Sequence, residues 1–424
     1  ATDHRPAVAH GVLRWLVAAD VFVCHRCASG VRSGRTYGCD SPALASRRLP
    51  YPPAASTGAP LSPGLRVVVA GGGTAGHVEP ALNLADALLR TAPQTVVTAM
   101  GTAEGLETRL VPARGYELDL IPRVPLPRRP SKDLITLPGR LKAAVRRSRE
   151  ILTERQADVL VGFGGFVSLP AYLAARGRVP IVIHEANAKA GLANKVGRRF
   201  TPFLAEATAG SLPGAIRIGI PLRESIAHLD RAARREQACA RWGVDPGRPC
   251  LLVFGGSQGA RSLNDAVVAA APTLLGAGVQ VLHGYGAKNA DQVESVQDLP
   301  GYHALDYIDG MDDAYAAADM AVCRAGAMTC AELAAVGLPA LYVPLPIGNG
   351  EQRYNAAPVV AADGGFLIED AELDGDTLAG AVIPVITSRG RLEQMSQNAA
   401  RHGVRDAAAR LADMVFAAAA KGET

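Results

Sequence analysis

The chain has 424 residues, with 44 basic and 40 acidic side chains, 48% apolar content and only 5% aromatic content. That length allows two substantial domains, and cores made mainly of Ala, Val and Leu fit parallel α/β packing. A net charge of +4 gives no electrostatic case for a nucleic-acid partner, and no apolar run approaches the roughly 18 residues of a membrane span.

Residues 1–64 are rich in Ala, Arg, Ser and Pro and end in LPYPPAASTGAPLSPG. They read as a largely disordered extension outside the functional unit. Val12–Cys24 is apolar but broken by Arg14 and Asp20, and it lacks a clean signal-peptide cleavage site. Cys24, Cys27 and Cys39, with His25, form a partial C-x-x-C pattern without an evident fourth ligand, so no zinc site is expected. The cysteines are scattered, and Cys250, Cys323 and Cys330 sit inside apolar runs, which fits a reduced, cytosolic protein.

The first expected strand, LRVVVA (65–70), runs straight into AGGGTAGHVEP. Gly71, Gly73 and Gly76 match G-x-G-x-x-G, a turn that brings backbone N–H groups against a phosphate or polar ligand. Val78, Ala81, Leu82, Ala85, Leu88 and Leu89 supply the packing stripe of the following helix. A dehydrogenase would place an acid at the end of the second strand. That strand, TVVTAM (95–100), is followed by Gly101 and Thr102, with no acid until Glu104. The dinucleotide reading is therefore weak. His77 stands at the helix start, where the dipole disfavours imidazolium, so it suits a general base for a sugar hydroxyl. A histidine that merely hydrogen-bonds the turn is the plainer alternative.

Between Arg123 and Arg149, the basic residues Arg128, Arg129, Lys132, Arg140, Lys142, Arg146, Arg147 and Arg149 surround Leu134, Ile135, Leu137 and Leu141. This pattern reads as an interfacial patch for anionic lipid, or else as an ordinary solvated helix face. Strand DVLVGF (158–163) ends in the glycine-rich GFGGFVSLP, and strand PIVIHE (180–185) leads into HEANAKAGLANK. There Asn187 offers a donor and an acceptor to sugar hydroxyls, unless the segment is a solvated turn. Strand IRIGIP (216–221) closes the first half, with the domain boundary expected near Pro221–Arg223.

After a charged helix (Arg231–Gly243) the pattern restarts with CLLVFGG (250–256), VQVLHGY (279–285), MAVCRAG (320–326) and PALYVPL (339–345). VVVAGGGTAGH and LLVFGGSQGAR open the two halves alike, implying twin Rossmann-like domains facing a cleft. In CRAGAMTCAELAAVGLPALYVP the strand runs into Ala325–Met328 and a helix is expected to begin near Thr329. Its free N–H groups could cradle a diphosphate, and Glu332 could hold a pair of ribose hydroxyls. Thr329-x-x-Glu332 is equally a capping box. LPIGNGEQRYNA places Asn349, Glu351, Gln352, Arg353 and Asn355 on a polar loop at a strand end, which favours ligand contact over plain surface. Asp374-Gly375-Asp376 is nominally D-x-D but reads as a helix cap, so no metal and no cofactor are expected. The last helix, Ala407–Ala420, could return to the first domain.

Taken together, GGGTAGHVEPALNLADAL, GFGGFVSLPA, HEANAKAGLANK, GGSQGARSLN, YIDGM, CRAGAMTCAELAAVGLPAL and EQRYNA, in that order, resemble the MurG family from about Leu65 to the C-terminus. That resemblance implies an α/β GT-B fold, with an acceptor- and membrane-associated domain at 65–222, a donor domain at 223–405 and a final helix (about 406–424) packed back on the first. It implies inverting transfer of N-acetylglucosamine from UDP-N-acetylglucosamine to lipid I, giving lipid II. His77 would be the base. Thr74, Ala75 and Gly76 would approach the donor, Asn187 would hold a sugar hydroxyl, and Arg223 and Ser257 would bind the diphosphate. Ile308 would touch the uracil, Ala327, Met328 and Thr329 would cradle phosphate, Glu332 would hold the ribose, and Gln352 would contact the sugar. The implied partners are UDP-N-acetylglucosamine, lipid I, an anionic membrane surface and other cell-wall synthesis proteins, with no nucleic acid. The implied location is the cytoplasmic face of the plasma membrane. Ala75, Ile220 and Glu351 depart from the family pattern, and Glu351 leaves the sugar contacts of its loop open. The alternatives are a UDP-N-acetylglucosamine 2-epimerase, a GT-B transferase with a soluble acceptor, or a non-catalytic nucleotide sensor.

Overall fold

In a computed structural model of the chain, residues 64–124, 133–256, 258–347 and 350–422 are described, those of 133–135 by backbone alone. The first 63 residues, including Cys24, His25, Cys27 and Cys39, lie outside them.

Two wholly parallel sheets carry the fold. The first contains β1 (Arg66–Gly71), β2 (Val96–Gly101), β3 (Glu117–Leu120), β4 (Val159–Gly164), β5 (Ile181–Glu185), β6 (Phe203–Glu206) and β7 (Ile216–Arg217), in the order β3-β2-β1-β4-β5-β6-β7. The second contains β8 (Cys250–Phe254), β9 (Gln280–Gly284), β10 (Tyr302–Leu305), β11 (Met320–Cys323), β12 (Ala340–Tyr342) and β13 (Gly365–Leu367), in the order β10-β9-β8-β11-β12-β13. The strand order reverses between β1 and β4 and again between β8 and β11, all pairs remaining parallel. In open α/β sheets such switch points put the ligand crevice outside the strands' carboxyl ends. The glycine-rich turns leave β1 and β8 at those points.

Alternation sets the layers. Val67 and Val69 of β1 face one core with Val78, Leu82, Ala85 and Leu88 of helix Ala75–Thr91, while Val68 and Ala70 face the other. The helix Ala407–Gly422 adds Leu411, Met414, Val415 and Ala418 to the first of these cores. Leu411, Met414 and Val415 each contribute about 1.5–3 kcal/mol when buried, so the last helix is bound firmly to the first sheet. Leu251 and Val253 of β8 likewise face one side of the second sheet, and Cys250 and Leu252 the other.

The structure differs from the sequence reading in three ways. Strands β3, β6, β10 and β13 were not expected, each being only three or four residues long. In β3 charged residues mask the pattern, and Arg155 on Asp119 (2.8 and 2.9 Å) holds them. The strand expected at 216–221 pairs only through Ile216 and Arg217. Gly219 then takes φ +85°, and a side chain there would lie 2.6 Å from Val404 Cβ. Finally, the helix expected to begin near Thr329 begins at Ala327, after an N-cap at Gly326 with no side-chain cap bond. Thr329 therefore sits inside the first turn, and the capping-box reading of Thr329 and Glu332 is corrected. The Asp374 cap is present: its carboxylate accepts from Thr377 N at 2.8 Å in a reciprocal capping box.

Candidate active site

The first glycine turn is closed internally. Glu107 is fully buried, and its carboxylate accepts from Gly73 N (3.0 Å), Thr102 N (2.8 Å) and the Thr102 hydroxyl (2.9 Å). A protein carboxylate thus takes a turn N–H that an anionic ligand would otherwise seek. Nothing in the local motif signals this, because Glu107 arrives from the far side of β2.

Thr74 caps the helix Ala75–Thr91 through its extended backbone, and its hydroxyl lies 3.0 Å from His77 Nδ1 instead of bonding the helix. The half-buried His77 ring packs against Gly164 and Gly165, both at positive φ. A Cβ on Gly165 would stand 2.3 Å from the Gly72 carbonyl oxygen and 3.3 Å from His77 Nδ1. The two glycine-rich segments of the first half therefore meet at this histidine, and glycine is required for the approach. Burial lowers the His77 pKa, against a backbone hydrogen bond to Gly72 and the Glu107 charge, which raise it. Desolvation thus favours the neutral ring.

The segment after β5 is organised by Glu185, another buried carboxylate. It accepts from Asn187 N (3.0 Å), Gly191 N (3.0 Å) and Asn194 Nδ2 (2.9 Å), and Tyr172 donates to Asn194 Oδ1 at 2.7 Å. Burial raises the Glu185 pKa, while the bonds from Asn187, Gly191 and Asn194 oppose it. Asn187 is thereby fixed on a shaped loop. An acid ending an otherwise apolar strand was the available signal for Glu185. The loop also grips the second half. Asn355 Oδ1 accepts from Ala188 N (3.0 Å) while its Nδ2 donates to Ala325 O (3.3 Å), and Lys189 Nζ stands 3.9 Å from the Tyr354 ring centre.

On the facing side, a solvent-open cleft is lined by Ala75 and Glu79 from the first half and by Arg223, Gly256, Gly286, Tyr307, Ile308 and Glu332. Tyr315 donates to Glu332 Oε2 at 2.7 Å. Burial pushes Glu332 up to about 7, against the Tyr315 bond and the Arg223 charge. Arg223 Nη2 and Nε reach the two Glu79 oxygens at 2.8 and 3.3 Å. Ile308 is buried against Gly284, where a Cβ would stand 2.8 Å from Ile308 Cδ1, and its neighbour Tyr307 is exposed. Glu79 and Tyr315 were missed by sequence reasoning, since each reads as an ordinary helical residue.

The expected residues do not all line one wall. Ala75, Arg223, Ile308 and Glu332 meet in this cleft, whereas Ala327 lines a second cavity with Ala186 and Asn355. Ala327, Met328 and Thr329 form the first turn of helix Ala327–Val336, whose N–H groups lack intrahelical partners. Gln352 lies in the first turn of helix Glu351–Ala361, and its Oε1 accepts from Leu345 N at 2.9 Å. Thr74, Gly76, His77 and Asn187 are not among the residues of either lining. Ser257 and Asn349 lie outside the described residues. Among the described residues no cluster of three or more His, Cys, Asp or Glu suits a metal ion, and no helix is long and apolar enough to cross a membrane.

Helix Asp133–Glu154 carries the described part of the basic segment. Arg146 and Arg147 pair with Glu150, and Arg147 also with Glu154 at 3.0 Å. Arg140, Lys142 and Arg149 are exposed beside Leu141, Val145 and Leu173 and have no ion pair to a described residue. Arg128, Arg129 and Lys132 lie outside the described residues, as do the side chains of Leu134 and Ile135.

Residues 67–202 match the glycosyltransferase family 28 N-terminal domain and residues 250–411 the glycosyltransferase family 28 C-terminal domain. The chain is 60% identical over 363 residues to the UDP-N-acetylglucosamine–N-acetylmuramyl-(pentapeptide) pyrophosphoryl-undecaprenol N-acetylglucosamine transferase of Acidothermus cellulolyticus, covering 84% of this chain and 98% of that protein. It is 59% identical to the Streptomyces avermitilis protein of the same name, covering 84% and 99%. Among solved structures it is similar to Acinetobacter baumannii MurG, with 26% identity, TM-score 0.68 and coverage of 83% and 99%. A Neisseria meningitidis UDP-GlcNAc 2-epimerase shares the fold at 14% identity and TM-score 0.58, covering 83% and 99%.

Proposed function

The chain belongs to glycosyltransferase family 28, and from that membership we propose that it transfers N-acetylglucosamine from UDP-N-acetylglucosamine to lipid I, forming lipid II with inversion at the anomeric carbon. The observation that carries this reading is near-full-length identity of 60% to a transferase named for that reaction. The 2-epimerase alternative has only the fold behind it, at 14% identity.

In this reading the second half, residues 223–405, is the donor domain. Residues 65–222 and the last helix form the acceptor domain. Glu332 accepts the ribose hydroxyls, Ile308 borders the uracil, and Arg223, Ser257 and the N–H groups of Ala327, Met328 and Thr329 meet the diphosphate. Thr74, Ala75 and Gly76 close on the donor from the opposite wall, and Asn187 and Gln352 orient the sugar. The acceptor hydroxyl gives its proton to His77 and bonds to the anomeric carbon. The bond from that carbon to the leaving phosphate oxygen breaks, and UDP carries away the electron pair. Closure of the halves over the bound nucleotide would exclude water from the transfer.

The exposed cations Arg140, Lys142 and Arg149 beside Leu141 and Val145 support docking on an anionic leaflet, which for this substrate is the cytoplasmic face. Co-sedimentation with anionic vesicles, and none with zwitterionic ones, checks it. Other cell-wall synthesis proteins are candidate partners on that surface.

The central test is transfer of labelled sugar from UDP-N-acetylglucosamine to a short-chain lipid I analogue. Wild type should make lipid II, and His77→Ala should lower kcat about 10²–10⁴-fold with little change in donor KM. Donor binding without lipid product in the wild type would overturn the acceptor assignment. An unchanged rate in the variant would remove His77 from the role of base.

A further inference from the structure

Glu79 lies two residues beyond His77 on the helix Ala75–Thr91, with its side chain 13% exposed. Its two oxygens receive Arg223 Nη2 at 2.8 Å and Nε at 3.3 Å, a two-pronged pairing across the cleft. Its Oε2 is also 3.5 Å from Arg114 Nη1, and Arg114 in turn pairs with Asp86. Arg223 is 44% exposed, far more open than its partner. The arrangement is asymmetric: the carboxylate is fixed in the wall by a second arginine, while the guanidinium reaches out over the cleft to meet it.

A planar guanidinium presents its fork equally well to a carboxylate or to two phosphate oxygens. We propose that Glu79 is an internal stand-in for the donor diphosphate, holding Arg223 until a nucleoside diphosphate takes the guanidinium from it. The proposal rests on Arg223 being a diphosphate ligand. The exchange leaves no buried charge unpaired, because Arg114 remains beside Glu79 when Arg223 swings away. It also sets a threshold for occupancy. A nucleoside without phosphate cannot compete for Arg223, so the Glu79–Arg223 bridge between the halves persists with uridine and is broken only by a ligand carrying the leaving group.

Titration calorimetry with UDP, and with uridine as the phosphate-free control, tests the exchange on wild type, Glu79→Gln, Arg223→Ala and the double variant. Removing the competing carboxylate should tighten UDP about two- to fivefold, in proportion to a partly exposed ion pair, and leave uridine unchanged. In the Arg223→Ala background, Glu79→Gln should have almost no effect on UDP. Glu79→Asp, which keeps the charge and shortens its reach, should fall between wild type and Glu79→Gln and serves if the glutamine variant folds poorly. If Arg223→Ala leaves UDP affinity intact, the diphosphate role of Arg223 fails. If that variant weakens UDP while Glu79→Gln leaves it equal or weaker, the exchange alone fails. Equal tightening in both backgrounds would mean a through-space charge effect and would likewise overturn the exchange.

Discussion

The two glycine-rich turns, after β1 and after β8, begin from the same strand–turn–helix pattern and end in opposite states. In the first, the buried Glu107 carboxylate takes the Gly73 N–H at 3.0 Å, and a histidine ring packs into the glycine-lined space beside it. In the second, no described carboxylate accepts from the turn, and Gly256 and Gly286 open directly onto the cleft that holds Glu332. A phosphate-binding motif is thus a backbone shape and not yet a site. Whether it receives an anion depends on whether a side chain from elsewhere has already taken its N–H groups. On this account the first turn positions a base and the second half holds the nucleotide.

The strongest way to break that contrast is to remove the acid that closes the first turn. Glu107→Ala leaves the part-buried Gly73 N–H and the buried Thr102 N–H without an acceptor, and should cost about 2–4 kcal/mol of stability, read as a lower midpoint in chemical unfolding. A midpoint unchanged from wild type would mean that the carboxylate does not hold the turn.

A smaller effect sharpens the other side. Glu332→Gln keeps an acceptor for Tyr315 but loses the charge, and should weaken UDP-N-acetylglucosamine about tenfold, the equivalent of one charge-assisted hydrogen bond. Because burial lifts Glu332 from 4.5 to about 7, wild-type donor affinity should rise as pH climbs through 7, and the variant should lack that rise. The stability sign is opposite. An acid whose folded pKa lies above its unfolded value costs stability from about pH 4.5 upward, in full above pH 7. The variant should therefore match wild type at pH 4 and exceed it at pH 8 by on the order of 1 kcal/mol. Parallel pH profiles would contradict the role of Glu332.

Much of this was legible in the sequence. Long apolar strands such as LRVVVA and CLLVF, each followed by glycine and an amphipathic helix, identified two parallel units because period-two and period-3.6 patterns are local. Short strands with charged residues, such as ELDL in β3, were not legible, because their pairing depends on neighbours far along the chain. The same reason governs the site. Glu332 could be singled out from its place one turn into a helix after a strand, but its bond to Tyr315 could not. Glu107, Glu185 and Asn355 act through backbone groups 34, 6 and 167 residues away. No spacing rule reaches those contacts, and the one made by Glu107 separates a turn that is filled from one that is open.

Amide hydrogen exchange with and without UDP tests that separation most directly. New protection is expected in the turn after β8, around Ile308 and at the start of helix Ala327–Val336, with none added at Gly71–Gly73, which Glu107 already holds. Protection confined to Gly71–Gly76, with the second half unchanged, would contradict it.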